Sequence, residues 1–346
     1  MRISMPLGYA GDLRESVKQV VELEKAGLDT VWVAEAYGYD SPTLMGYIAA
    51  RTERVNIGAA ILPLYTRTPT LIAQTAAGLD YLSDGRAVIG LGASGPQVIE
   101  GWHGVPYTRP LTRTREIIEI CRKVWAREEP LTHDGKVFTL PLPAEQGTGL
   151  GKPLKIINHP VRDRIPLYVA SLGEKNVELT AEVADGWLPI FFIPEKADDV
   201  WGDSLAAGRA KRDPGLGELE ISAGGMIAIG EGEETKRLLD FARPQIALYV
   251  GGMGAKGKNF YNTLARRYGY EEAAEKIQDL YLAGKKDEAA AAVPQEMVEL
   301  TNLVGPESYV RERVQAFRDA GVSHLNLIPM SDDPVKLIEK VNGWLQ

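Results

Sequence analysis

Apolar residues recur along the chain in two alternating rhythms. Short continuous apolar runs read as strands buried on both faces, and stretches with apolar positions three or four apart read as helices. Arg2–Leu7 is the first run, followed by a turn over 8–11. Asp12 with Glu15 makes a capping box, Leu13, Val17, Val20 and Val21 keep helical spacing, and Gly27 sits where a left-handed C-cap belongs. Thr30–Glu35 predicts a second strand, Pro42 opens a helix ending near 51–54, and Val55–Leu62 predicts a third strand. Thr68 and Pro69 start the next helix, with Ile72, Thr75, Ala76 and Leu79 on one face, before a fourth strand over Ala87–Leu91.

The second half repeats the rhythm. Strands are predicted over Pro166–Ala170 and Gly186–Phe191, within Leu219–Ile229 and over Ser323–Ile328. Helices are predicted over Gly173–Ala184, roughly 195–212, near 233–248 and over Pro306–Ala320; a closing helix from Asp333-Pro334 carries Leu337, Ile338, Val341 and Leu345. Eight strands separated by helices imply parallel pairing with right-handed crossovers and favour a closed α/β barrel, (β/α)8, over an open sheet. Two connections are too long for a plain barrel. About 75 residues follow strand four and about 90 follow strand seven, so we read insertions over approximately 96–160 and 249–305 within one domain, 1–346. Loops of that kind on the active face of a barrel become lids.

Composition narrows the classes. The chain has 346 residues, 45% apolar and 25% charged, which is the balance of a globular protein. A net charge of −8 argues against a nucleic-acid surface. No stretch approaches the roughly 20 apolar residues of a membrane span, and the N-terminal apolar run is too short for a signal peptide. The single cysteine, Cys121, lies among Ile117, Ile118 and Val124, as a small buried hydrophobe would, and suits a reducing, cytoplasmic setting.

Candidate chemistry is sparse. Gly90-Leu-Gly-Ala-Ser-Gly95 spells a dinucleotide loop, but it follows the fourth strand, and Pro96 and the 101–104 segment interrupt the helix that should begin there. The four histidines show no metal-ligand spacing, and no metal is expected. His103, in the glycine-rich loop, is a candidate acid–base group. Glu35 closes the second strand at its C-terminal end, where barrel enzymes place chemistry; a second carboxylate role, an ion pair, fits the position equally. Tyr37 and Tyr39 follow it and are placed to shape a pocket for a planar ligand. The helix starting at Gly173 offers free amides to an anion.

Four blocks carry a resemblance: GLDTVWVAE (27–35), TERVNIGAA (52–60), LDYLSDGRAVIGLG (79–92) and GEKNVELTAEVADGWL (173–188). Together they resemble the bacterial-luciferase-like superfamily. Within it the chain is most similar to the oxidoreductases that use the deazaflavin coenzyme F420, the branch of methylenetetrahydromethanopterin reductase; the 249–254 segment and Asn259-Phe-Tyr resemble actinobacterial-type members. The resemblance implies a TIM barrel with insertions. It implies that Glu35 contacts the deazaflavin ring and that a non-prolyl cis peptide at Ala60-Ile61, with Leu62, forms a bulge behind that ring. Ser94 and Gly95 would approach the cofactor after strand four, and Ser171, Leu172, Gly173 and Glu174 would bind its phosphodiester. A homodimer paired through the early helices is also implied.

Hexose-phosphate dehydrogenases of this branch carry a histidine where this chain has Ala36, and a glutamate that has no counterpart among Ala93, Ser94 and Gly95. Glucose 6-phosphate is therefore not the expected substrate. Proton transfer would fall to Glu35, Tyr37, His103 or solvent. The expected activity is hydride transfer between the deazaflavin and a small organic molecule. An FMN-dependent monooxygenase and a non-catalytic deazaflavin-binding protein are the alternatives. Lys256, Lys258, Arg266 and Arg267 are candidates to meet the acidic cofactor tail.

Overall fold

The computed structural model describes residues 1–8 and 10–345; the turn expected over 8–11 includes Tyr9, which lies outside them. Eight strands form the barrel: β1 Arg2–Leu7, β2 Thr30–Val33, β3 Asn56–Ala59, β4 Ala87–Gly92, β5 Leu167–Ala170, β6 Gly186–Trp187, β7 Glu220–Ala223 and β8 His324–Asn326. They run in parallel in the order β3-β2-β1-β8-β7-β6-β5-β4, and pairing of Ile57 with Ala87 closes the ring. Each is followed by helix on the outside, so strand residues facing out pack on helices and those facing in fill the lumen. Val31 and Val33 belong to the outer core, whereas Trp32 joins Val88 and Tyr168 in a separate inner cluster.

Glycines make room for those inner rings. A Cβ at Gly58 would enter the Trp32 ring, and one at Gly186 would enter the Tyr168 ring. Two polar layers close the lower lumen. Tyr168 donates to Glu220, which also pairs with Arg2, and Ser4 bonds Ser222 and Asn326 at 3.2 Å each.

The S-D-G-R block is a turn organised by charge. Asp80, fully buried, accepts from the Ala87 amide and pairs with Arg162; Asp84 and Gly85 take positive φ; Arg86 then donates to the carbonyls of Ser83, Ala49, Thr52 and Val55. One guanidinium thus ties the ends of two helices to β3 and β4. Asp185 of the A-D-G-W block works similarly, accepting from the Leu167 amide and pairing with Arg122 and Arg164.

Glu24 fastens the helix Leu13–Lys25 to the start of β3 by accepting from the amides of Glu53, Arg54 and Val55. Burial raises its carboxyl, but those three amides outweigh it and leave the net value lowered. A lowered folded value adds stability above the unfolded value of about 4.3, and that stability is lost as pH falls through the folded value. Glu24→Gln is expected to cost about 1.5–3 kcal/mol at pH 7 in urea unfolding, the range for hydrogen bonds to a charged group. It should also flatten the loss of stability below pH ~4.

Two departures from the expected elements have local causes. The helix expected near 233–248 is a string of short turns, Glu233–Arg237, Leu238–Ala242, Arg243–Ala247 and a wide turn Leu248–Gly252. Pro244 lacks the amide that an unbroken helix would use. The second insertion, with helices Phe260–Arg267, Glu271–Leu282, Lys286–Ala291 and Gln295–Leu300, ends in a strand that sequence reasoning missed, Leu303–Gly305. β7 breaks at Gly224-Gly225 and resumes as Met226–Ile229, which pairs in parallel with that strand and with Ile328–Pro329, the continuation of β8. Among the described residues no helix is long and apolar enough to cross a membrane.

Candidate active site

β3 leaves the barrel wall at Ala59 and rejoins β4 at Leu62, paired with Leu91, having used one residue more than β4 over the same stretch. That extra residue makes a bulge, and its Ala60-Ile61 peptide is cis. Ala60 and Leu188, both half-buried, rest on Trp32 and Val88 and form the floor of the mouth at the C-terminal end of the barrel. Trp32 keeps its indole N–H buried there with no acceptor.

The Gly90–Gly95 motif now has a packing reason. A Cβ at Gly90 would overlap the Ala59 carbonyl oxygen, and one at Gly92 would overlap the end of the Ile61 side chain. The first two glycines accommodate the bulge, with no dinucleotide needed to explain them. Beyond them Ser94 adopts φ 58°, and Gly95 starts the short helix Pro96–Gly101.

On the next strand, the loop after β5 is held by its carbonyls. The Trp187 indole donates to Ser171 O at 2.9 Å and the Trp201 indole to Leu172 O at 3.0 Å, while the Ser171 hydroxyl pairs with Thr180 at 2.8 Å. Gly173 then begins the helix Glu174–Val183 with no side-chain cap. A Cβ at Gly173 would find only Phe260, at 3.9 Å, so the approach to these amides is open. Arg267 of the second insertion stands 3.4 Å from Glu174. The positive helix end suits an anion.

The expected catalytic residues do not converge. Glu35 is buried to 8% side-chain exposure, with Arg67 at 2.5 and 2.9 Å on its two oxygens and the Ser41 amide and hydroxyl at 2.7 and 3.1 Å. Both oxygens are engaged, which is the ion-pair arrangement expected for this position, and the pair anchors the helix Ser41–Ala49. Tyr37 is 65% exposed and meets Trp102 at 6.2 Å between centroids. The Nε2 atom of His103 is shut off from solvent without a partner, while the residue as a whole is half-buried. Among the cations expected to meet an acidic tail, Lys256 pairs with Asp279, Arg266 donates to Asn262, and Arg267 donates to Val200 O as well as pairing with Glu174. No group of three or more His, Cys, Asp or Glu able to hold a metal ion occurs among the described residues.

The sequence suggests an apolar, aromatic-rich mouth from Tyr37, Tyr65, Trp102, Trp187, Phe191 and Phe192; the structure puts Tyr65 and Phe191 in an aromatic line whose other members, Tyr107, Tyr249 and Tyr261, were missed. Tyr65, after β3, stacks on Tyr107 at 5.0 Å, with Arg113 4.5 Å over the Tyr65 ring. Tyr261 neighbours Tyr107 from the second insertion and meets Tyr249 at 4.7 Å, which meets Phe191 at 5.5 Å. Only periodicity breaks flagged these insertions, and ring-to-ring placement across them leaves no trace in spacing. A groove of about 680 Å³ lies elsewhere, on the outer faces of the helices Pro110–Ala126 and Glu174–Val183, and its charges are largely paired, as in Arg115–Glu182 and Lys211–Glu178.

The luciferase-like monooxygenase family matches residues 1–324. A Mycobacterium tuberculosis protein assigned as a coenzyme F420-dependent oxidoreductase is 42% identical over 344 residues, covering 97% of each chain. The coenzyme F420-dependent tetrahydromethanopterin reductase of Methanopyrus kandleri superposes with a TM-score of 0.77 at 22% identity, over 98% of this chain and 96% of that one. An F420-dependent secondary alcohol dehydrogenase, bound to an F420–acetone adduct, gives the same score at 18% identity over 100% and 99%. The fold of the two solved structures is the fold described above, and the chain belongs to the luciferase-like monooxygenase family.

Proposed function

We propose that this protein is a coenzyme F420-dependent oxidoreductase that exchanges a hydride with a small organic substrate at the barrel mouth. The observation that carries the reading is the joint presence of the Ala60-Ile61 bulge beside β4 and the uncapped helix at Gly173 after the neighbouring strand β5, both at the C-terminal end of the barrel. The similarity to the M. tuberculosis protein supports the choice of cofactor. When bound, the deazaflavin supplies a ring carbon that donates or accepts hydride. The chain's own part is positioning. Ala60, Ile61 and Leu188 back the ring, the amides at the start of the helix Glu174–Val183 take the phosphodiester, and the two insertions restrict water. Holding the reacting atoms about 3–3.5 Å apart is the chief means of catalysis in such a site. Ser94 and Gly95 complete the cofactor edge, and Ser171, Leu172 and Glu174 hold the loop that presents Gly173. Exposed Tyr47, Leu71, Tyr81 and Leu82 on the helices Ser41–Ala49 and Pro69–Leu82 supply apolar surface for the expected homodimer.

Titration with oxidised coenzyme F420 and, separately, FMN tests the reading through ring fluorescence and absorbance. Tight binding of the deazaflavin alone is expected. Tight binding of FMN with weak binding of F420 would instead move the protein to flavin monooxygenase chemistry. Failure of both would remove the site.

A further inference from the structure

Hydride transfer to a carbon–heteroatom bond also requires a proton, and the structure removes the candidates nearest in sequence to β2 and β4. Glu35 is engaged on both oxygens, His103 Nε2 is enclosed by protein, and Tyr37 is 65% exposed, open to bulk water. Tyr107 is half-buried and fixed by packing. It belongs to the first insertion, and its ring lies on Tyr65, which follows the bulge. Its hydroxyl reaches Ser94 O at 3.4 Å, beyond the end of β4. The stack is fixed from behind: Tyr65 donates to Thr108 O at 3.0 Å, and Arg113 sits between the Tyr65 and Phe138 rings at 4.5 and 5.0 Å. The 3.4 Å bond to Ser94 is long, so the phenol proton is weakly held and available to a better acceptor.

Given the deazaflavin reading above, we propose that Tyr107 is the acid that protonates the substrate oxygen, and that the substrate is accordingly a ketone or aldehyde, or in reverse its alcohol. As hydride forms the new C–H bond at the carbonyl carbon, the C=O π pair moves onto oxygen. That oxygen takes the proton from Tyr107 Oη, giving the alcohol and a phenolate, and the phenolate regains a proton from water. In the reverse direction the phenolate accepts the alcohol proton while hydride leaves the carbon. Burial pushes the Tyr107 phenol up to about 12, so it is protonated at neutral pH. It remains a far stronger acid than an alkanol, whose acidity is near that of water at ~15.7, so transfer to an alkoxide runs downhill.

The test compares wild type with Tyr107→Phe, each checked by circular dichroism and F420 fluorescence titration. With oxidised F420 bound, ¹³C=O-labelled cyclohexanone and benzaldehyde are added and the carbonyl stretch is read by difference infrared spectroscopy. The proposal expects equal F420 affinity in both proteins, a stretch lowered in wild type, and return toward the unbonded position in Tyr107→Phe. With reduced F420, turnover of the same carbonyl compound should fall by about 10²–10⁴-fold, the usual share of a general acid. A stretch unshifted in wild type, or equally shifted in the variant, overturns the role of Tyr107 while leaving the cofactor reading intact. Wild type that binds no F420 brings down the cofactor reading itself. Tyr65→Leu removes the stack without removing the hydroxyl, and an intermediate loss in turnover is expected if the phenol must be held in place.

Discussion

Gly90→Val should yield protein that is strongly destabilised and binds F420 weakly or not at all. A side chain at this position would be driven into the Ala59 carbonyl oxygen and against Leu188. A backbone carbonyl in a sheet cannot swing aside as a side-chain tip can. Overpacking in cores typically costs 1–3 kcal/mol and occasionally more, and a clash with fixed backbone belongs at the top of that range, about 3 kcal/mol. The displaced atoms lead directly into the cis bulge, so the floor of the mouth should move with them. Gly92→Ala is the graded comparison, because it meets only the end of Ile61. Gly95→Ala is the neutral one for stability, since its nearest neighbour is a Gln97 side-chain atom at 3.9 Å. Urea unfolding and cofactor titration of the three variants rank them. Equal stability for Gly90→Val and wild type would mean that the glycines serve something other than packing.

Arg67→Met is the second large effect. Arg67 and Glu35 have side chains exposed by only 14% and 8%, and removal of one partner leaves a nearly buried carboxylate uncompensated. Breaking such a pair typically costs 3–5 kcal/mol, whereas replacing both charges is far milder. The double variant Glu35→Gln with Arg67→Met should therefore recover most of the stability, because glutamine can still accept from the Ser41 amide. This pair of proteins also separates two roles for Glu35. If it is an anchor, the double variant regains cofactor binding along with its fold. If the carboxylate itself contacts the deazaflavin, stability returns and affinity does not.

The alternation of strands and helices was legible because each barrel strand is buried on both faces and bounded by turn residues. TVWV (30–33) and AVIGLG (87–92) read as strands on composition alone. Caps were equally plain: Asp12 accepts from Arg14 and Glu15 amides, and Thr68 from the Leu71 amide, as their residue types foretold. What could not be read was anything set by contact across the barrel. Leu303–Gly305 is three residues long, too short to carry a period, and exists as a strand only because Met226–Ile229 offers it an edge. The engagement of Glu35 by Arg67 joins positions 32 residues apart, and nothing in the local pattern of either announces it. The cis bulge was expected from family resemblance and not from composition; its physical trace in this chain is the glycine spacing on the neighbouring strand.

The break in β7 at Gly224-Gly225 bears on how this protein could be re-engineered. Because Ile227 pairs with Leu303 and Ile229 with Gly305, the second insertion is sewn at its exit to the continuation of β7, in a three-stranded sheet shared with the continuation of β8. The Met226 amide adds a stitch to Asn302 at 2.8 Å. A chimaera that swaps this segment between relatives to alter what the mouth admits must therefore carry residues through 305 together with the matching half-strand 226–229. Carrying residues 303–305 without 226–229 would set a strand of one relative against the sheet edge of the other.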